Sequence, residues 1–353
     1  MPDILTVLCP GDTASQRFAL TLEAALRGRR AQLLTRLEGP LKNRRLLFAV
    51  PLEAGGANSG LGPLLAFLRT HPGCLAGCVG GVLVDGPEEL YTKSTGREIV
   101  LAACLAGCTF PGRPLVEATG SLQNLTVQAR NAGCSPEEAL RLAAAGVVER
   151  LLDFSPPRRR RPRLLALHAS SHATSNTLAL WSRCRKRLEA ACDITEIGLR
   201  NGTLVDCAGC PYTACLHFGE QGDCFYGGVM VQEVYPAIRA ADGVVLLCPN
   251  YNDALPANLT AAVNRLTALY RAAPFARTAV FAIVVSGYSG GDIVASQVIS
   301  AMNMNKGFWL PPEFCMLETA NDAGTAAALP GIDGRLERFS RNILKQLTGG
   351  ASA

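Results

Sequence analysis

The chain has 353 residues, 48% of them hydrophobic and 18% charged, with a formal net charge of +5 at neutral pH. That length accommodates two cores of ordinary size, and the composition excludes a disordered chain. No apolar run reaches the roughly 18 residues that span a bilayer, no basic and then apolar leader opens the sequence, and the surplus arginines cluster at 158–161 and 163 between prolines. The expectation is therefore a cytoplasmic protein with neither a membrane nor a nucleic-acid partner.

In chain order, the apolar pattern predicts a strand over Ile4–Cys9, a helix over Ser15–Arg27, and strands near Gln32–Thr35 and over Arg45–Val50. A helix over Gly60–Thr70, a strand over Cys78–Val84, a helix over Gly96–Leu105, a strand near Pro114–Glu117 and a helix over Pro136–Leu152 follow. The Pro/Arg segment 155–162 reads as a linker, after which the same rhythm returns more clearly. Strands are expected over Arg163–Ala169, Asp193–Gly198, Gly243–Cys248, Thr278–Ser286 and Glu313–Glu318. Helices are expected over Asn176–Ala191, Val231–Ala241, Pro256–Tyr270, Asp292–Asn305 and Asp333–Leu347. Short apolar strands alternating with longer amphipathic helices mean a parallel sheet covered on both faces. The fold class is thus α/β, with two tandem doubly wound parallel-sheet domains, residues 1–154 and 163–353, the first degenerate.

Ligands of such sheets bind beyond the carboxyl ends of the strands. Three loops there stand out in the second domain. Ala169-Ser170-Ser171-His172-Ala173-Thr174-Ser175-Asn176-Thr177 is rich in hydroxyls and opens into a helix, as a phosphate cradle requires, although Ser175 or Asn176 would serve equally as an N-cap. Cys248-Pro249-Asn250-Tyr251-Asn252-Asp253 offers amides and an aromatic to a flat heterocycle, and Ser286-Gly287-Tyr288-Ser289-Gly290-Gly291 is a glycine-rich loop that lets backbone approach a ligand. Between the second strand and the next helix lie Cys207, Cys210, Cys215 and Cys224, a set fit for one metal centre. An iron–sulfur cluster, a structural zinc or a reactive Cys207/Cys210 dithiol would each use them.

Most of the 14 cysteines sit singly in apolar segments and read as reduced core residues. Cys74, Cys78, Cys104 and Cys108 form two pairs at four-residue spacing, but packing accounts for Cys78 and Cys104. The first domain's leading loop, Pro10 to Ser15, places Asp12 where a phosphate would sit, and no cysteine loop follows its second strand. No cofactor motif is legible there.

The Ser170–Thr177 loop with Ser175-Asn176-Thr177 at its end, the Cys248-Pro249-Asn250-Tyr251 loop and the Ser286–Gly291 loop resemble those of the NADPH-dependent FMN reductases, and with the cysteines the segment 163–347 resembles an iron–sulfur flavoprotein of the flavodoxin-like class. The resemblance implies an FMN-dependent oxidoreductase that moves electrons from NAD(P)H or a reduced carrier to a small-molecule or protein acceptor. It implies FMN phosphate on Ser170, His172, Ser175, Asn176 and Thr177, and the flavin ring along Pro249, Asn250, Tyr251, Asn252, Asp253, Ser286, Gly287, Tyr288, Gly290 and Gly291. It also implies a [4Fe-4S] cluster on the four cysteines, and a flavin near a subunit interface, hence a homodimer. Where the family's first loop begins Gly-Ser-Pro-Arg, this chain has Ala169-Ser170-Ser171-His172, and four residues separate Cys210 from Cys215 where the compact cluster motif has two. A non-catalytic electron carrier and a zinc-stabilised module without flavin are the competing readings.

Overall fold

The computed structural model describes residues 5–11, 14–170, 174–272 and 275–350. The chain divides into two compact units, Met1–Ser155 and Pro156–Ala353. In the first, β1 (Leu5–Leu8), α1 (Gln16–Leu26), β2 (Gln32–Leu34), β3 (Arg45–Pro51), α2 (Leu61–Thr70), β4 (Val79–Asp85), α3 (Thr92–Leu105), β5 (Leu115–Ala118), α4 (Thr126–Ala132) and α5 (Pro136–Asp153) build a parallel sheet in the order β2-β1-β3-β4-β5. The second unit comprises β6 (Arg163–His168), α6 (Asn176–Leu188), β7 (Asp193–Gly198), α7 (Tyr212–Glu220), α8 (Tyr235–Ala240), β8 (Gly243–Pro249), α9 (Ala257–Ala272), β9 (Ala279–Ser286), α10 (Gly291–Val298), β10 (Cys315–Thr319) and α11 (Ile332–Thr348). Its order, β10-β9-β8-β6-β7, is the same topology read from the other edge. Both units are flavodoxin-like.

The central strands follow from sequence. β8 and β9 are unbroken apolar runs, and all eight residues of β9 are buried, as a strand covered on both faces demands. Helix starts are set by hydroxyl caps: Ser15 accepts from the Phe18 amide at 3.0 Å and Ser175 from the Leu178 amide at 3.4 Å. β4 carries Gly80 and Gly81 because helix and loop press on both faces. A Cβ at Gly80 would stand 2.5 Å from Phe110 Cε1, and one at Gly81 would stand 2.7 Å from Val147 Cγ1.

Several elements differ from the expectation. α3 begins four residues earlier than Gly96, at Thr92, behind a Tyr91 whose φ is 76°. α4 and α7 are additional short helices. The helix expected over Val231–Ala241 opens with a π-helical turn at Met230–Val234, and α10 runs into another at Ile299–Asn305. The Pro/Arg segment is tied down rather than free: the Arg159 amide donates to Leu347 O at 2.8 Å, and Arg161 Nε reaches Asp193 at 2.6 Å.

Candidate functional site

Order β10-β9-β8-β6-β7 reverses direction between β8 and β6, and the loops leaving those strands and β9 meet at the carboxyl edge. They enclose an open cavity of about 690 Å³, a volume within the ordinary range of ligand sites. Ser170, Thr174, Ser175, Asn176 and Thr177 line one side, Pro249 to Asp253 the second, and Gly287, Tyr288 and Ser289 the third. His172 lies outside the described residues. Ser286, Gly290 and Gly291 do not line the cavity; they act behind it.

The β8 loop is a tight two-residue turn. Tyr251 and Ala254 bridge, the Ala254 amide donating to Tyr251 O at 3.1 Å, and Asn252 and Asp253 both have φ of 54°. Asn and Asp tolerate that left-handed backbone better than other side chains, so the sequence Asn-Asp specifies the turn. Asn250 ties this loop to the β9 loop, its Nδ2 reaching Ser286 Oγ at 3.1 Å and Ser289 O at 3.0 Å. Its Oδ1 is buried without a donor among the described residues. Tyr251 and Tyr288, 63% and 80% exposed, stand at the rim, where a planar ligand would cover them. Asn176 spans to the β10 loop, donating to Ala320 O at 3.3 Å and Asp322 O at 2.9 Å. These features fit FMN.

Part of the corresponding edge of the first unit is filled by its own residues, beside an open cavity of about 660 Å³ lined by Leu8, Pro10, Thr35, Leu37, Gly60 and Phe67. Arg17, in the first turn of α1, donates to both Asp85 carboxylate oxygens at 2.9 Å and to the carbonyls of Gly86 at 2.9 Å, Thr119 at 3.0 Å and Gly120 at 3.2 Å. A fully paired guanidinium thus takes the position where the second unit leaves its cavity open. Asp12, flagged in the sequence, lies outside the described residues. Asp85→Ala is expected to destabilise the first unit by about 2 kcal/mol, because Asp85 is buried and the shielded cation loses its partner. The denaturant midpoint reports this; an unchanged midpoint would show that the network is idle.

The cysteine loop carries α7 against α9. Gly219 makes that packing tight, since a Cβ there would stand 2.3 Å from Ala268 O. Cys207 is exposed and Cys210, Cys215 and Cys224 are half-buried, and all four line one small cavity of about 150 Å³ with Phe218, Phe225 and Tyr226. Among the described residues, however, no three His, Cys, Asp or Glu side chains stand close enough to hold one metal ion. The four thiols thus share a cavity, and no metal centre is shown among the described residues.

The loop is held by two arginines of α9. Arg265, only 2% exposed, donates to Val205 O at 3.4 Å before the first cysteine and to Gly227 O at 2.7 Å after the last. Its Nε is buried without a partner among the described residues, and the residue borders the thiol-lined cavity. Arg271 donates to Tyr212 O at 3.1 Å and covers the Tyr212 ring at 4.3 Å. An unpaired buried N–H and a cationic wall suit an anionic, thiolate-ligated group. Burial raises the Cys215 thiol above its ordinary range against the pull of Arg271, and a bound metal would reverse that by supplying positive charge. Neither arginine was flagged by the sequence. The signal was there for Arg265: it interrupts the apolar stripe of Leu259, Ala262, Leu266 and Leu269 on α9.

A doubly wound parallel sheet with three loops meeting at its switch point defines the class, a flavodoxin-like fold. Residues 162–322 match the family described as NADPH-dependent FMN reductase, an oxidoreductase family. Curated protein sequences return no match. Solved structures similar to the chain include an NAD(P)H:quinone oxidoreductase from Methanothermobacter marburgensis, at 15% identity over 52% of this chain and 96% of that one, with a TM-score of 0.38. An azoreductase from Bacillus anthracis str. Sterne is similar at 16% identity over 52% of this chain and 99% of its own, with a TM-score of 0.33. A flavodoxin, WrbA-like protein from Agrobacterium tumefaciens is similar at 9% identity over 52% and 98%, with a TM-score of 0.33. No helix among the described residues is long and apolar enough to cross a membrane.

Proposed function

We propose that the chain is an FMN-dependent oxidoreductase that takes electrons from NAD(P)H, and that Cys207, Cys210, Cys215 and Cys224 hold a [4Fe-4S] cluster in the same unit. The observation that carries the flavin is the meeting of three loops around one cavity, with the tyrosines at its rim. Ser170, Ser175, Asn176 and Thr177 receive the phosphate at the N-terminus of α6, where free amides and the helix dipole favour an anion. Pro249 to Asp253 and Gly287 to Ser289 flank the ring, while Ser286 and Gly290 set the loops that do so. FMN, when bound, exchanges electrons in pairs or singly, and the cluster supplies a one-electron outlet. The protein contributes position and charge: Arg265 and Arg271 compensate the thiolates, and the aromatic wall of the cysteine cavity limits water. The acceptor is a small molecule or a protein, and a homodimer that covers the exposed tyrosine rim is the assembly this reading expects.

Anaerobic purification tests the reading. The protein should be brown, with a flavin spectrum, one FMN and about four iron and four sulfide per chain, and NAD(P)H should bleach it. Light scattering should give twice the 37.3 kDa of the chain. A colourless protein with zinc on its thiols would sink both cofactor assignments, and a flavin that NAD(P)H leaves oxidised would favour a carrier fed by a protein donor.

A further inference from the structure

His168, the last residue of β6, sits directly beneath the hydroxyl-rich loop. Its ring Nδ1–H donates to the carbonyl oxygen of Ser170 at 3.1 Å. Because a carbonyl can only accept, this contact fixes the proton on Nδ1. The other nitrogen, Nε2, lies 3.7 Å from Glu196 Oε1 on β7. Glu196 is itself oriented: Trp181 Nε1 donates to its Oε2 at 2.8 Å, and Arg185 of α6 stands 3.5 Å from the same oxygen. The backbone leaves room for the ring only because residue 198 is glycine; a Cβ there would stand 3.0 Å from His168 Cε1. A chain of contacts therefore runs from the buried Trp181 through Glu196 and His168 to the first residue of the anion loop.

Ser170 lines the cavity that receives the flavin. A carbonyl oxygen turned into an anion cradle repels phosphate, whereas one bound to an imidazole N–H is withdrawn from it and partly neutralised. We propose that His168 is a positioning residue that holds Ser170 for phosphate recognition and so makes the site selective for FMN over riboflavin. The inference rests on the flavin reading, and it goes beyond it in naming the residue that separates phosphorylated from unphosphorylated flavin.

The test titrates the full-length protein with FMN and with riboflavin in parallel, following flavin fluorescence. Wild-type protein should bind FMN more tightly. His168→Ala should weaken FMN by about tenfold, the scale of one hydrogen bond, while riboflavin changes less than about twofold. His168→Asn puts an amide N–H close to where Nδ1 stood and should recover FMN to within about threefold. Gly198→Ala, which crowds the ring without removing it, should weaken FMN alone. Should His168→Ala fail to fold, Gly198→Ala carries the same comparison. Equal losses for both flavins, or FMN affinity unchanged in His168→Ala and Gly198→Ala, would overturn the proposal while leaving the flavin site standing. Wild-type protein that binds neither flavin would overturn the site and the proposal together.

Discussion

Gly290→Ala should empty the flavin site while leaving the second unit folded. Gly290 has φ of 80°, and its Cα is where the β9 loop touches the β8 turn: an added Cβ would stand 1.9 Å from Asp253 Oδ1 and 3.1 Å from Asn250 Nδ2. The left-handed backbone alone costs an alanine about 1–2 kcal/mol. The clash adds a second effect, because relieving it pushes Asp253 and Asn250 apart from the β9 loop and opens the wall of the cavity. FMN affinity is expected to fall by at least about tenfold, as loss of preorganisation of this kind does. Gly202→Ala is the control: φ is 82° there and a Cβ would meet nothing within 4 Å. It should cost similar stability and leave FMN in place. Equal FMN binding by the two variants in a flavin titration would show that the loop contact is dispensable.

The second large effect is expected at Arg265. Replacement by alanine removes a buried cation and leaves Val205 O and Gly227 O, the two ends of the cysteine loop, without their shared donor. Charged hydrogen bonds of this kind are worth about 2–3 kcal/mol together with the penalty of the orphaned carbonyls. The loop should open, and bound iron should fall to a small fraction of the wild-type content. Arg265→Lys keeps the charge but cannot bridge both carbonyls, so it should retain an intermediate amount. Cys207→Ser, at an exposed position, should lose iron with little change in melting temperature. Iron and sulfide analysis beside thermal unfolding separates these outcomes. Full iron in the alanine variant would exclude the clamp.

The two sheets were legible because their central strands are unbroken apolar runs between helices of regular period, a signal that depends only on neighbours in sequence. The three loops that line the cavity stood out for the same local reason: hydroxyls before a helix, a proline-bracketed turn with an aromatic, glycines after a strand. What sequence did not disclose depends on partners far apart along the chain. Arg17 meets Asp85 and the carbonyls of Thr119 and Gly120 only once β4 and β5 are paired. Arg265 meets Val205 and Gly227 only when α9 lies under the loop. α7 was hidden because Cys215, His217 and Gly219 break any apolar period, and its helical form comes from packing on α9. Metal geometry also escapes a one-dimensional reading, since cysteine spacing says which thiols can meet but not how closely.

The Arg17–Asp85 network at the ends of β4 and β5 divides the chain thermodynamically. A ligand stabilises what it binds in proportion to the logarithm of its free concentration, and a side chain built into the sequence has no concentration. That network is therefore at full strength from the moment the first unit folds. The second unit has a cavity there, and on the proposed function it gains its last increment from bound flavin. Scarcity of cofactor would thus be felt by one half of the polypeptide alone, and quality control that acts on transient opening would find it there first.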